Sequence, residues 1–386
     1  MVMQSEFVLD AELTDVPSAF EFPVRDDLRG VISYGAPQLD VPVCLNVNEN
    51  PFPLPDEVVD AVTEAIRIVA KGLNRYPQRD AVELRKALSA YLDRESGVLI
   101  PWQQIWAANG SNEVMHHLFL AFGGPGRLAM SFDPTYSMYP EYARDTFTNY
   151  LSFPRLPDFT IDIDAACQQI IENRPTLVLV TSPNNPSGTS LGAAELIKLL
   201  TTSRECGAFV IVDEAYAEFR RAGTPSALEL LSEFANLIVT RTMSKAFGMA
   251  GTRLGYATTA DPAVVSTLSV VRLPYHLSSV TQAVAVAALA HSQSLQAQVA
   301  TIRQERDALQ EWLIAQGLSV AVSDANFVLF GTFSDRDRIW QRLLDQGVLI
   351  RVTGPAGYLR VSIGTPTEND RFRAALVSAL RDEGQS

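Results

Sequence analysis

The stretch "AFVIVDEAY" (residues 208–216) runs through five apolar residues and then reaches a carboxylate, Asp213. A strand that is apolar on both faces must be covered on both sides, as the strands of parallel sheets are. Similar runs occur at "IWAAN" (105–109), "RLAMSF" (127–132), "TLVLVT" (176–181) and "NLIVT" (236–240). Helical patterns separate most of them. The alternation predicts an α/β fold with a mostly parallel sheet covered by helices on both faces.

The domain organisation follows from where this alternation begins and ends. "DEVVDAVTEAIRIVAKG" (56–72) has helical apolar spacing and ends at Gly72, which predicts a glycine C-cap. After a long helical stretch at 293–317, short strand patterns alternate with two more helices. We therefore predict three parts. These are an N-terminal segment (1–50) packing on the small domain, a large domain (51–285) and a small α+β domain (286–386).

Composition excludes several classes of protein. The 386 residues carry 31 Lys+Arg and 44 Asp+Glu, a net charge of −13, which disfavours nucleic acid and anionic membranes as partners. Three cysteines without a C-x-x-C pair predict free thiols rather than disulfides or zinc. The acidic N-terminus does not resemble a signal peptide, and the apolar stretch at 280–290 predicts a buried helix too short to cross a bilayer. We expect a cytoplasmic protein.

Polar side chains collect where the predicted strands end. Because ligands of open parallel sheets bind outside the carboxyl ends of the strands, these side chains are expected in one cleft. They are Ser111, Asn185, Asp213, Tyr216, Thr242, Ser244 and Lys245. Each has a simpler interpretation by itself. Ser111 is consistent with a helix cap, "SPNNPSG" (182–188) with a turn, and Lys245 with a side chain that reaches solvent.

The stretch "TMSKAFGMAGTRLGY" (242–256) is the most unusual in the chain. It places Lys245 among small and apolar residues, with Arg253 eight positions on. Its glycines, Gly248, Gly251 and Gly255, predict close backbone approach or unusual dihedral angles. Elsewhere, His116 and His117 are adjacent on a predicted helix and point in different directions, so they do not form a metal site. No metal is expected.

Taken in order, these motifs resemble one family. "SPNNPSG", "DEAYAEF" and "SKAFGMAGTRLGY" are similar to the motifs of fold-type-I pyridoxal-phosphate (PLP) aminotransferases. "LNVNENPFP", "LNRYPQRDAVELRKAL", "FDPTYSMY" and "YLRVSIGTPTEND" resemble the histidinol-phosphate aminotransferase subgroup. The resemblance covers nearly the whole chain. It implies transamination between L-histidinol phosphate and 2-oxoglutarate in histidine biosynthesis, with PLP as cofactor.

The resemblance also implies roles for cofactor-binding residues. Lys245 is expected to bond covalently to the PLP aldehyde and to move a proton at the substrate Cα. Asp213 is expected to keep the pyridine nitrogen protonated. The other expected contacts are the 3′ oxygen (Asn185 and Tyr216), the ring face (Tyr136) and the phosphate (Arg253, Thr242, Ser244, Ser111 and Asn112).

Substrate and subunit contacts follow from the same resemblance. Arg360 matches the arginine that binds the substrate carboxylate, and Arg351 is expected to help it to hold a phosphate. Tyr34 is expected to close over the site. Tyr76 is expected to reach the cofactor phosphate of a neighbouring subunit, which implies a homodimer. His276 is a weaker candidate for the site.

Other functions remain open at this point. An aromatic amino-acid aminotransferase and a PLP-dependent phosphothreonine decarboxylase share the scaffold. A transcriptional regulator with an aminotransferase-like domain requires a DNA-binding domain, but only about fifty residues precede the first main helix, and that segment carries a net negative charge. Assays with a panel of amino donors distinguish the enzymes.

Overall fold

The computed structural model describes residues 22–381, which belong to two compact units that meet in sequence at Asp40 and Val41. In the first unit, the described residues contain a short 3₁₀ helix, Asp26–Leu28, and an ion pair between Arg25 and Asp27 at 2.6 Å. Residues 1–21, which include the acidic N-terminus and much of the predicted segment 1–50, lie outside the described part. The last five residues, 382–386, do so as well.

Thirteen strands occur in the described part of the second unit. Strand β1 (Val43–Cys44) comes first. The large sheet consists of β2 (Ile105–Ala108), β3 (Leu128–Asp133), β4 (Asn149–Pro154), β5 (Leu177–Thr181), β6 (Phe209–Asp213), β7 (Leu237–Thr242) and β8 (Gly255–Thr259). The C-terminal strands are β9 (Ser319–Val320), β10 (Phe327–Gly331), β11 (Val348–Leu349), β12 (Arg351–Val352) and β13 (Leu359–Ser362).

Helices connect these strands. They are α1 (Asp56–Ala70), α2 (Val82–Ser96), α3 (Gly110–Phe122), α4 (Tyr139–Asp145), α5 (Ile163–Asn173), α6 (Ala193–Glu205), α7 (Pro262–Val271), α8 (Ser279–Ala290), α9 (Ser292–Ala315), α10 (Arg336–Asp345) and α11 (Pro366–Arg381). None of the helices between residues 22 and 381 is long and apolar enough to span a membrane.

The seven-stranded sheet has the order β2-β8-β7-β6-β5-β3-β4. Every neighbouring pair from β7 to β4 is parallel, whereas β8 is antiparallel to both β2 and β7. The prediction of a mostly parallel sheet is therefore confirmed. Strands β4 and β8 were not predicted. β4 alternates exposed and half-buried residues, as an edge strand does, and β8 begins with the last two residues of the glycine-containing motif, Gly255 and Tyr256.

Alternate residues of the central strands enter two separate hydrophobic cores. Val178 and Val180 of β5 belong to one core, while Leu177 and Leu179 belong to the other. Because successive side chains point to opposite faces of a sheet, the two cores lie on opposite sides of it. Full burial of each such side chain is worth about 1.5–3 kcal/mol. This two-sided burial explains why these strands read as unbroken apolar runs.

The C-terminal part forms a smaller sheet. Its order is β12-β13-β10-β9, with every pair antiparallel. Strand β1 does not join it but pairs in parallel with β11. The change from a parallel to an antiparallel sheet agrees with the change of pattern after residue 290. The domain boundaries at 50 and 285 stay predictions, and position 285 lies inside α8.

Two local predictions are wrong. Helix α1 ends at Ala70, and Lys71, in the ordinary right-handed conformation, occupies the C-cap position in place of Gly72. Gly251 has open space where a side chain would lie, and its φ is not positive. Gly248 does have a positive φ of 63°, and a Cβ on Gly255 would lie 2.1 Å from the backbone nitrogen of Ser111. The glycine prediction thus holds for these two positions.

Candidate active site

The polar residues at the strand ends share one edge of the large sheet. Thr181 at the end of β5 is the register partner of Asp213 at the end of β6, and Asp213 is the partner of Thr240 in β7. Thr242 ends β7, and Lys245 follows three residues later. Parallel strands end at the same edge, so residues that are distant in sequence come together here.

Lys245 is half-buried at this edge. Its Nζ donates a hydrogen bond to the carbonyl oxygen of Val47 at 3.0 Å. Burial, followed by the positive charge of Arg360, lowers the pKa of Lys245 to about 8, while Glu49 acts in the opposite direction. At pH 7 about one amine in ten is then uncharged, compared with about one in three thousand at the ordinary value. The site therefore favours a lysine that can act as a nucleophile or a base.

Asp213 is only 5% exposed and its carboxylate accepts three hydrogen bonds. Tyr139 Oη donates to one oxygen at 3.1 Å, and Thr240 Oγ1 and the Ala215 backbone donate to the other at 3.2 Å each. Burial raises the pKa of Asp213 to about 6, and these hydrogen bonds oppose that rise. At pH 7 the carboxyl group is mainly ionised, so it is suited to binding a cationic ring nitrogen.

Glu214, the next residue, belongs to a different structure. It forms a buried ion pair with Arg241 at 2.8 Å, and Arg241 also contacts Glu95 at 2.7 Å. Although burial by itself raises the pKa of Glu214, Arg241 and Arg220 hold it below the ordinary value. Of the two acidic residues in "DEAY", Asp213 thus belongs to the candidate site and Glu214 to a buried ion pair.

The start of α3 and Arg253 form a positively polarised cradle. A Cβ on Gly110 would lie 2.8 Å from Arg253 Nη2, so the guanidinium packs directly against the first residue of the helix. Arg253 has a φ of 57°, a conformation that is uncommon for a non-glycine residue and is often found at functional sites. Backbone N–H groups at a helix start bind anions, and an arginine beside them adds to that preference.

Hydroxyl groups line the same cradle. Ser244 Oγ lies 3.5 Å from Arg253 Nη1 and accepts a hydrogen bond from Thr242 Oγ1 at 3.0 Å. On the other side, Tyr136 Oη donates to Asn112 Oδ1 at 3.1 Å. These residues, together with Ser111, surround a space with the donors that a phosphate monoester requires.

Arg360 and Arg351 are paired by strand register. They face each other as Cα partners in β13 and β12. Arg360 is 6% exposed, donates through Nη2 to the Asn46 carbonyl oxygen at 2.9 Å, and bonds through Nη1 to Asn185 Oδ1. Its guanidinium also lies 5.0 Å from the centre of the Phe327 ring. The strand register places the two arginines opposite each other, and Arg360 is bonded to Asn185; the substrate-binding roles of both arginines stay predictions.

A segment that sequence reasoning left without a site role joins these parts together. Residues 45–50, here called the strap, run between the two sheets. Leu45 bonds to Leu349 and Ser362, the carbonyl groups of the strap accept from Lys245 and Arg360, and Asn50 donates to the Ala246 carbonyl oxygen at 3.2 Å. The strap belongs to the unit that begins at Val41.

The remaining candidate residues are Tyr76, His276 and Tyr34. Tyr76 is 80% exposed and its ring stacks on that of Tyr275 with 4.6 Å between centres, so within this chain it is not joined to the cleft. His276 Nε2 lies 2.9 Å from the Ala107 carbonyl oxygen and its ring stacks on Trp106, so it packs behind β2. Tyr34 belongs to the first unit, and its role stays a prediction.

Sequence reasoning missed the residues that hold the site residues in place. Tyr139 and Thr240 bond to Asp213, Asn48 bonds to Tyr216, and Ser362 bonds to Asn48. The sequence contains only weak indications of these residues. Tyr139 stands three positions after Tyr136 in "FDPTYSMY", and Asn48 stands in "LNVNENPFP". Nothing in either motif shows which side chain would be the partner.

This fold and site define an aminotransferase, and the comparisons with known proteins agree. Residues 41–376 match the family described as aminotransferase class I and II. The chain belongs to this family.

Similar proteins indicate which kind of aminotransferase this chain most resembles. The chain is 55% identical to histidinol-phosphate aminotransferase of Thermobifida fusca, covering 93% of this chain and 96% of that protein. It is 53% identical to the protein of the same name from Bifidobacterium adolescentis, covering 93% and 95%. The crystal structure of histidinol-phosphate aminotransferase from Sinorhizobium meliloti in complex with pyridoxal-5'-phosphate has a TM-score of 0.83 at 23% identity, covering 95% and 99%. That likeness supports the fold.

Proposed function

We propose that this protein is a cytoplasmic PLP-dependent enzyme that transfers the amino group of L-histidinol phosphate to 2-oxoglutarate, giving imidazole-acetol phosphate and glutamate in histidine biosynthesis. The observation that carries the proposal is the cleft in which Lys245, with its lowered pKa, stands beside the charge of Arg360. Relatives that share about half of their residues with this chain carry the name of this activity.

The cleft fits the cofactor in two places. The cradle at Gly110 and Arg253 is too close-packed for a side chain on the glycine, as expected where an anion approaches the backbone. Asp213 is a buried carboxylate that accepts hydrogen bonds from Tyr139, Thr240 and the Ala215 backbone. A cationic ring nitrogen and a phosphate group complement these two places.

When bound, PLP supplies an aldehyde for covalent attachment and a ring that withdraws electrons from the substrate Cα. Lys245 is the residue that bonds to the aldehyde in the resting enzyme. Once an amino substrate has replaced it, its Nζ takes the proton from the substrate Cα and later returns it. The lowered pKa supports this role because a larger fraction of the amine is then uncharged.

The other cofactor contacts have separate roles. Asp213 holds the ring nitrogen in its protonated form, since an opposite charge favours the charged state. Asn185 and Tyr216 hold the 3′ oxygen, and Tyr136 covers the ring face. The phosphate is held by the guanidinium of Arg253, by the hydroxyls of Thr242 and Ser244, and by the start of α3 at Ser111 and Asn112.

The paired arginines account for the two amino substrates. Histidinol phosphate presents a dianionic phosphate, which both guanidiniums can engage, whereas glutamate presents a carboxylate that one guanidinium satisfies. We assign the shared contact to Arg360 and the second phosphate contact to Arg351.

Cofactor attachment and donor preference test the function together. Purified protein should be yellow, and borohydride should fix the cofactor to the peptide that contains Lys245. Lys245→Ala should still bind PLP but lose turnover by a thousandfold or more, on the order expected for an acid–base group. Labelling of another lysine would contradict the assignment of Lys245 as the attachment site.

A kcat/KM ratio below one for histidinol phosphate against phenylalanine assigns the enzyme to the aromatic aminotransferases instead.

We also propose that two copies assemble and that Tyr76 of each completes the other's site. Tyr76 lies in an exposed group with other large apolar side chains close in sequence to it or to Tyr275: Leu73, Val270 and Leu273. Such patches mark surfaces that bind other proteins. Mixing Tyr76→Phe chains with Lys245→Ala chains should restore activity above either parent, since one site in each mixed dimer then carries neither change. A fully active monomer in sedimentation contradicts the assembly.

A further inference from the structure

Asn48 lies at the centre of the strap and is 2% exposed. Its φ is 57°, in the left-handed region where asparagine is enriched among non-glycine residues. Its backbone is held on both sides. The N–H donates to Ser362 Oγ at 2.9 Å, and the carbonyl oxygen accepts from Asn326 Nδ2 at 3.1 Å. The side chain is therefore presented from a fixed backbone.

The amide of Asn48 connects Ser362 to Tyr216. Ser362 Oγ donates to Asn48 Oδ1 at 3.0 Å, and Asn48 Nδ2 donates to the Tyr216 hydroxyl at 3.0 Å. Ser362 Oγ accepts from the Asn48 backbone, so its single proton is available for the amide oxygen. That contact turns the NH₂ group toward Tyr216. An NH₂ group only donates, so the phenol oxygen must accept from it.

This arrangement fixes the direction of the Tyr216 hydroxyl. Because its oxygen accepts from Asn48, its own proton points away from Asn48. The ring is held at the same time by Phe327, which it meets edge to face with 5.0 Å between centres. Residues outside the large sheet thus hold the phenol ring and exclude the direction toward Asn48 for its proton.

We propose that Asn48 is a positioning residue that directs the Tyr216 proton toward the 3′ oxygen of the cofactor. The inference rests on the proposed function, in which Tyr216 contacts that oxygen. A hydrogen bond donated to the anionic oxygen stabilises the deprotonated form of the lysine-bound cofactor. Asn48 would then lower the pKa of the lysine-bound cofactor without contacting it. Ser362 would hold the Asn48 amide in place through its hydrogen bond to Oδ1.

Asn48→Asp tests the direction with little change of shape. Aspartate also tolerates the left-handed conformation, and one oxygen can still accept from Ser362. An ionised carboxylate cannot donate, so Tyr216 must turn its proton toward the carboxylate and away from the cofactor. The readout is the pH titration of the visible absorbance of the PLP-loaded enzyme, which reports the proton on the lysine-bound cofactor rather than turnover.

A new negative charge also acts by itself, and the double variant removes that effect. Lys245, Glu49, Arg253 and Arg360 are the charged groups that already influence this region. A carboxylate at position 48 raises the titration midpoint through its charge whether or not Tyr216 carries a hydroxyl. We therefore compare Asn48→Asp in the natural background with Asn48→Asp in the Tyr216→Phe background. Asn48→Gly removes the amide without adding charge and keeps the positive φ accessible.

The proposal expects a shift at least about one pH unit larger with the tyrosine than without it, the size that follows from losing one hydrogen bond to a charged group. It also expects Asn48→Gly to move the midpoint upward, by less than Asn48→Asp. Equal shifts in the two backgrounds, or an unmoved midpoint in Asn48→Gly, overturn it. Unmodified protein without visible absorbance in the presence of PLP overturns the proposed function itself, which separates the two failures.

Discussion

The edge of the large sheet and the small antiparallel sheet contribute to the site in different ways. At the large sheet, Asp213 ends a strand, and Lys245 and Arg253 follow one within a loop. At the small sheet, Arg360 and Ser362 lie inside a strand, and their partners are set by register. In the first arrangement each side chain is placed by the strand that it ends or follows. The second arrangement depends on contacts between chain segments about 300 residues apart, such as the strap and β13.

The difference indicates that the two sheets have separate roles in the site. The large sheet holds the groups suited to the cofactor, namely an anion cradle, a buried carboxylate and a lysine. The small sheet supplies the two arginines suited to the anionic group of the substrate. The strap contacts both. Changes at the large sheet should therefore affect every amino donor alike, and a change at Arg351 of the small sheet should distinguish between donors.

Among changes that leave Lys245 in place, the largest effect should come from Asp213→Asn. Loss of the charge beside the ring nitrogen removes electrostatic stabilisation of the reaction, which is worth on the order of a thousandfold in kcat. The loss should be similar for histidinol phosphate, glutamate and phenylalanine. Steady-state kinetics with these three donors measures it. A strong preference among donors in the variant would contradict the assignment of Asp213 to the cofactor.

Arg360→Ala should reduce kcat/KM by about a hundredfold or more for both natural amino substrates, as expected when a buried charged partner worth about 2–5 kcal/mol is lost. Arg360→Lys is the matched control because it keeps the charge but loses the planar fork. It should recover part of the loss. If lysine restored full activity, the hydrogen bonds to Asn46 and Asn185 would be unimportant.

Arg351→Ala should have a smaller and selective effect. We expect about a tenfold loss of kcat/KM for histidinol phosphate and a smaller loss for phenylalanine or tyrosine, because a phosphate engages two guanidiniums and a carboxylate one. The ratio of the two kcat/KM values is the measurement. An equal loss for all donors would remove Arg351 from phosphate recognition.

The smallest effect should be a shift in pH dependence. Below a pKa of about 6, Asp213 of the apoprotein becomes protonated and no longer attracts a ring cation, so affinity for PLP should fall as pH falls. Tyr139→Phe removes one hydrogen bond to the carboxylate and should move that midpoint upward by up to about one pH unit. Tyr136→Phe is the control, since its hydroxyl bonds to Asn112. Equal midpoints in the two variants would exclude Tyr139 from tuning Asp213.

The sequence by itself determined the main architecture. Runs such as "TLVLVT" and "AFVIVD" predict a covered parallel sheet because a strand buried on both faces carries mainly apolar side chains. The order of the motifs then predicts which strand ends hold Asp213, Thr242 and Lys245, since parallel strands end at one edge. These inferences need only local pattern and chain order.

Only the tertiary structure decided how those groups are held. Tyr139 reaches Asp213 from α4, and Asn48 reaches Tyr216 from the strap, across 74 and 168 positions of sequence. Arg351 and Arg360 face each other because of the strand register. A register shift of one residue would turn the side chains of the shifted strand to the opposite face of the sheet. The pKa values of Lys245 and Asp213 depend on burial, which the whole fold creates. Distances, register and burial arise from packing between distant segments, and a local pattern cannot encode which segment the partner will be.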